Sequence, residues 1–255
     1  MSNSLKSIQT RFRAYQIATA GSSFSYFAGG HFTLIEAVAT DASRQQLLDE
    51  LSLCGKSTIN TLHITSWDQD HCSESGLKWI LQKLAPSKIE YPGYEPHTTS
   101  GEDCLSAILE YRKKWVSRGS SVRVQAFDSP YIRGLGSTVG PGYCDIVYHP
   151  RELSSKSNDN STIKFFRGGA FTVLSLGDVE GNNIAAMLRR CKTLCREVDI
   201  MILAHHGADN GFTKKKLLET LKPQIAVCSS NSVSKSSVSL LLRLVVLKHC
   251  LRLRA

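Results

Sequence analysis

Three apolar segments of this chain each run directly into acid or histidine side chains, and that repetition narrows the folds open to it. Ile59–Ile64 leads into Thr65-Ser66-Trp67-Asp68-Gln69-Asp70-His71. Phe171–Leu176 ends in Gly177-Asp178, and Asp199–Ala204 runs into His205-His206-Gly207. Loops at strand ends let side chains converge on one point without disturbing the core beneath. Each segment alone has an ordinary explanation. Asp-rich loops also make turns, an Asp after a strand often caps the next helix, and a single His is commonly structural. Three such ends in one chain, two of them with paired ligand types, point instead to a metal centre. Because neighbouring strand residues face opposite ways, one of His205 and His206 is expected to ligate. The other would support it or donate a proton, unless the strand has already ended.

The surrounding pattern is that of a layered α/β (α+β) protein. Short strands are expected at Tyr15–Ala18, Phe24–Phe27 and Phe32–Ala37, the last two joined at Gly29-Gly30. Asp41 is placed to cap a helix over Ala42–Leu53. Helical spacing follows at Gly76–Leu84, a strand at Lys88–Tyr91, and a helix at Glu102–Ser117. The second half offers strands at Val122–Ala126 and Ile146–His149, separated by the glycine-rich Gly134–Gly142. The polar run Ser154–Ser161 reads as an exposed hairpin loop. One helix is expected over Asn183–Val198, another over Lys214–Leu221, and a last strand at Gln224–Ser229.

At 255 residues the chain can bury a full core, and its 42% hydrophobic and 21% charged residues are those of a globular protein. Its formal charge is +9, but five of those charges lie in Ser232–Ala255, which holds no acid. The rest is mildly cationic, compatible with an anionic substrate and weak support for nucleic-acid binding. Arg112-Lys113-Lys114 and Lys214-Lys215-Lys216 read as solvated helix faces. The eight cysteines form no CxxC pair, so reduced thiols in a cytoplasmic protein are expected. Cys191 and Cys195, four apart, would share a helix face and pack. The opening MSNSLKSIQTRFR has no apolar core of a secretory signal. Val238–Leu247, broken by Arg243, is too short to span a bilayer.

The order of the three motifs resembles the metallo-β-lactamase superfamily and, within it, the hydrolase domain of ComEC-like competence proteins. Those carry a strand ending in S-H-P-D-A-D-H or H-x-H-x-D-H, then one ending in G-D, then H-H-G. The resemblance spans roughly Phe12 to Asn231 and implies a four-layer αββα sandwich over residues 1–231, with Glu36 where an Asp is often found. It also implies metal-assisted hydrolysis by two divalent ions, zinc or manganese. Asp68, Asp70 and His71 would hold the metals, Asp178 would bridge them, and His205 and His206 would complete the coordination or protonate the leaving oxygen. Asp70, His205 and His206 are thus the expected catalytic residues. The implied substrate is a phosphodiester, with nucleic acid the leading polymer. A thioester, lactone or β-lactam hydrolase, or a non-catalytic binding domain, are the alternatives.

Two departures stand out. Ser66 occupies the first His position of the motif, so one metal position is expected to be weak; His63 is a less apt substitute that would rather pack. The family continues after its last strand with an Asn and a His-Pro, whereas this chain reaches Ser229-Ser230-Asn231 and then turns into the basic, apolar tail Ser232–Ala255. That tail admits a replaced or frame-shifted end as well as a helix, and it is a candidate surface for self-association.

Overall fold

Alternation along the strands sorts this chain's side chains into three buried layers. The computed structural model describes residues 8–135, 145–208, 211–213 and 215–229. The tail Ser232–Ala255 and most of Gly134–Gly142 lie outside the described residues. In the first half, β1 (Thr10–Ala14), β2 (Phe24–Ala28), β3 (His31–Ile35), α1 (Asp41–Leu53), β4 (Thr61–His63), α2 (Glu74–Lys83), β5 (Lys88–Pro92), α3 (Thr99–Val116) and β6 (Arg123–Phe127) follow one another. Their strands form a six-stranded sheet in chain order, antiparallel through β3 and parallel from β3 to β6.

After the short α4 (Ser129–Gly134), the second half supplies β7 (Asp145–Tyr148), β8 (Ile163–Phe166), β9 (Val173–Ser175), α5 (Asn182–Leu188), α6 (Leu194–Glu197), β10 (Ile200–Ile202), α7 (Lys215–Leu221) and β11 (Ile225–Val227). These strands form a five-stranded sheet, β11-β10-β9-β8-β7, parallel from β9 to β11. Phe32, Leu34, Leu62 and Ile89 pack on one side against Leu47, Leu77, Ile80 and Ile108 of α1–α3. Phe165, Leu174, Met201 and Ala226 pack against Ile184, Leu194 and Leu217 of the second helical layer. The opposite strand faces meet through Phe24, Tyr26, Ile35, Phe166, Val173, Ile200 and Val227. Helices, sheet, sheet, helices: the αββα order of the expectation is the order of the structure.

Four local expectations need correcting. The first strand is Thr10–Ala14, not Tyr15–Ala18. Its alternating Arg11 and Arg13 look solvent-facing, yet both reach the buried Glu50 of α1, at 2.6 and 3.3 Å. Helix α1 is capped by Thr40 rather than Asp41, with the Thr40 N–H donating to Ser43 Oγ at 3.0 Å. Ser154–Ser161 is not an exposed hairpin loop. It contains a 3-10 turn at Ser157–Asn160, and Asp159, Asn160 and Ser161 are buried. Asn183–Val198 is two helices, because Leu188 and Leu194 enter the same core. Six residues apart, a continuous helix would set them about 120° out of register. Strand β8 went unanticipated, since Lys164 interrupts its apolar pattern. Cys191 and Cys195 do pack against the second core, as expected.

Lys164 is buried between the sheets. Its Nζ lies 2.7 Å from Glu90 of β5, whose carboxylate also receives Lys88 and lies 3.0 Å from His63 Nδ1. This settles His63 as a packed residue, with its ring against Phe127 and Phe166. Burial would push the Glu90 pKa up, but His63 and the two lysines outweigh it and hold it well below the usual carboxylate value. A depressed carboxylate contributes stability that is complete above its unfolded pKa and lost as pH falls through the folded one. Urea titrations should therefore show unfolding free energy declining as pH drops below 4.5, the ordinary value of this group. Glu90→Gln should cost about 3–5 kcal/mol at neutral pH and flatten that acid-side decline.

Candidate metal centre

The parallel strands of both sheets open their carboxyl ends at the same site. From the first sheet come Glu36, just past β3, and the loop Thr65–His71 past β4. From the second come Asp178 and Glu180 past β9, His205 and His206 past β10, and Ser229 past β11. Main-chain bonds tie these ends together: Thr162 N–H to Thr65 O across the sheets at 3.0 Å, and His205 N–H to Gly177 O at 2.9 Å.

Asp70, His71 and His206 bring one ligand atom each to within 4.8 Å of the others. His206 Nε2 is 2.8 Å from Asp70 Oδ2, and its Nδ1 is 2.9 Å from Ser229 Oγ, which sets the ring's orientation. Asp178 joins through His71: its Oδ1 lies 2.7 Å from His71 Nε2. Both atoms are shielded from solvent, and neither makes an aligned hydrogen bond. Two buried ligand atoms facing one another at this distance, beside Asp70 and His206, suit a shared cation. All the donors are nitrogen or oxygen, a set that takes zinc, manganese or iron.

Behind His71 stands Glu36. Its carboxylate accepts from Thr65 N–H at 3.1 Å and Thr65 Oγ1 at 2.6 Å, and lies 3.1 Å from His71 Nδ1. Glu36 holds a left-handed backbone, φ 70°, which is rare outside glycine. Its place at the end of an apolar strand is the same signal that marks the other three clusters, so it was available in the sequence. Glu180 was not, because nothing in the motif separates it from an ordinary helix-start acid.

Asp68 and His205 stand apart from the three-ligand group. Asp68 Oδ2 accepts from Ser66 Oγ at 2.8 Å, and Ser66 Oγ lies 3.2 Å from the Tyr94 hydroxyl. The position where the motif resembled has a histidine thus holds a buried hydroxyl network, with Trp67 Nε1 donating to Tyr94 O at 2.9 Å. His205 Nδ1 meets the Glu180 carboxylate, and its side chain remains partly exposed. Strand β10 ends at Ile202, so the pleat does not separate the two histidines. Both sit in left-handed backbone, φ 48° and 56°, which costs about 1–3 kcal/mol per residue. That turn sends His206 inward and His205 outward.

Charge at the centre follows from these contacts. Burial opposes ionisation of His71, but Asp178 and Glu36 outweigh it and raise its pKa well above the usual imidazole value. Burial likewise opposes a charged Asp178, and His71 more than reverses that. Asp70, despite burial, is drawn down to about 2 by the His206 hydrogen bond and the charges of His71 and His206.

No protein-family model matches this sequence, and no curated protein matches it. Solved structures do. YhfI from Bacillus subtilis, a metallo-β-lactamase fold protein, superposes with a TM-score of 0.52 over 94% of each chain at 9% identity. The chain has the metallo-β-lactamase fold. Igni18, a metallo hydrolase from Ignicoccus hospitalis, matches at 0.53 over 96% of each chain with 13% identity. The diiron β-hydroxylase CmlA from Streptomyces venezuelae matches at 0.53 and 13% identity. Nearly all of this chain, 98%, aligns there, spanning about half of CmlA, 53%. Among the described residues, no helix is long and apolar enough to cross a membrane.

The Glu36 carboxylate lies against the His71 ring. Glu36→Gln keeps an acceptor for Thr65 but removes the charge. It should lower metal affinity roughly 10–100-fold in chelator competition, with the circular dichroism spectrum unchanged.

Proposed function

We propose that the protein is a metal-dependent hydrolase of phosphodiester bonds. The observation that carries the metal is the cluster of Asp70, His71 and His206, whose ligand atoms lie within 4.8 Å of one another, with Asp178 buried 2.7 Å from His71. The phosphodiester rests on the resemblance to ComEC-like hydrolase domains, and nucleic acid is the polymer it favours. Asp70, His71, His206 and Asp178 would hold the first of two divalent ions, zinc or manganese. Asp68 would reach a second, weaker position. Such ions supply polarisation of a phosphoryl oxygen and a nucleophile from water near neutral pH.

The protein's own groups do the rest. Glu36 and Ser229 hold the His71 and His206 rings in place. Glu180 holds Nδ1 of His205, leaving Nε2 of this half-exposed ring to give a proton to a departing alkoxide. Trp67 and Tyr94, both buried, close the side of the loop that carries Asp68.

One observation favours a second reading, a domain that binds metal without turnover. The Ser66–Asp68–Tyr94 network occupies the place of the motif's first histidine and turns Asp68 away from the three-ligand group. A different reaction is a further option, since this fold also carries a β-hydroxylase, and fold does not fix reaction.

Metal content of the purified protein separates these readings when paired with cleavage assays. Bis(p-nitrophenyl) phosphate and single- and double-stranded DNA are the substrates, with manganese or zinc added. Turnover abolished by chelator, restored by metal and lost in His71→Ala is the expected outcome. A metal-loaded protein that cleaves none of these substrates refutes phosphodiester hydrolysis. Replacing the weak ligand should also register: Ser66→His is expected to raise metal stoichiometry toward two ions per chain in elemental analysis. An unchanged value in a protein already holding two tight ions refutes unequal sites.

A further inference from the structure

A cavity of ≈ 640 Å³ opens beside the candidate metal centre, and Asp70 lines both. Three separate segments build it: the β1–β2 connection at Thr19 and Ala20, the start of α1, and the loop from Gln69 to the start of α2. Its volume lies in the range of pockets that hold a small group.

The lining is rich in hydroxyls and poor in free charge. Thr19, Thr40, Ser73 and Ser75 contribute hydroxyls, and Gln69 an amide. Thr40 Oγ1 donates to Ile17 O at 2.7 Å and so offers the cavity an acceptor. Ser75 and Gln69 are exposed. The sole cation of the lining is Arg44, and its Nη1 lies 2.5 Å from Asp41 Oδ1, which also lines the cavity. With the guanidinium offset in place, this wall does not attract a second phosphate. Arg44 Nε is nonetheless shielded from solvent and without a hydrogen-bond partner.

We propose that this cavity recognises an uncharged, hydroxyl-bearing group of the substrate, such as a sugar, while the phosphoester to which it is attached lies at the metal centre. The proposal rests on the phosphoester reading of that centre. It adds that selection at this cavity comes from hydrogen bonding to a neutral polyol.

Ribose 5-phosphate and phenyl phosphate carry the same ester charge and differ in the group attached, so their affinities isolate the cavity from the metal. Calorimetry on the full chain, with and without manganese, should show ribose 5-phosphate binding about tenfold more tightly, the effect of one or two net hydrogen bonds. Ser75→Trp should abolish that preference, and Thr19→Trp is a second variant should the first misfold. Equal affinities for the two esters, no binding of ribose 5-phosphate in either form, or a preference that survives a folded tryptophan variant would each overturn the pocket. The metal centre is read separately: a chain that takes up no manganese but prefers ribose 5-phosphate keeps the pocket and loses the hydrolase.

Discussion

His71 stands between two carboxylates that belong to different sheets. Glu36 follows β3 of the first sheet and Asp178 follows β9 of the second, and the imidazole faces one with each nitrogen. Every other feature of the site is arranged around that ring. The sheets must stack with their parallel carboxyl ends on one side, since otherwise the two acids could not reach one histidine. The Thr162–Thr65 main-chain bond holds the ends in that relation. Burial makes the arrangement expensive without compensation, because an ionised carboxylate away from water needs a counter-charge. The ring, and a cation where one is bound, provide it.

Much of this was legible before any coordinates. Strand-end placement marked Asp70, His71, Asp178 and His206, and these are side chains the fold draws together. It marked Asp68 and His205 equally well, and here the pattern has no power to discriminate. Whether a strand-end residue turns inward depends on the partners its side chain meets in the fold. Asp68 is drawn aside by Ser66, two residues away, with Tyr94 behind it, and His205 by Glu180. The pleat argument for the two histidines failed for a related reason. It assumes extended backbone, and β10 ends before they begin.

The misread elements share one cause, charged or polar residues placed inside. Arg11 and Arg13 concealed β1, Lys164 concealed β8, and Asp159 made a buried turn resemble a surface loop. Hydrophobic periodicity reports burial only where burial is apolar. Each exception carries its own compensation: Glu50 for the arginines, Glu90 for Lys164. For Asp159 it is two main-chain donors, Glu180 N–H at 2.8 Å and Gly181 N–H at 2.6 Å. Those last bonds matter beyond the core, because the turn they brace carries Asp178 and Glu180.

Consecutive left-handed residues at His205 and His206 restrict the mutational paths open to this chain. Backbone of that kind tolerates Gly, Asn and Asp, and it excludes β-branched side chains almost entirely. The tolerated replacements either lack a ligand or lack a ring nitrogen that gives up and regains a proton near neutral pH. Replacements that fit the turn thus forfeit the chemistry, and aliphatic ones strain the chain as well. Drift at these two positions has few neutral steps, and the pair is expected to be kept or lost together.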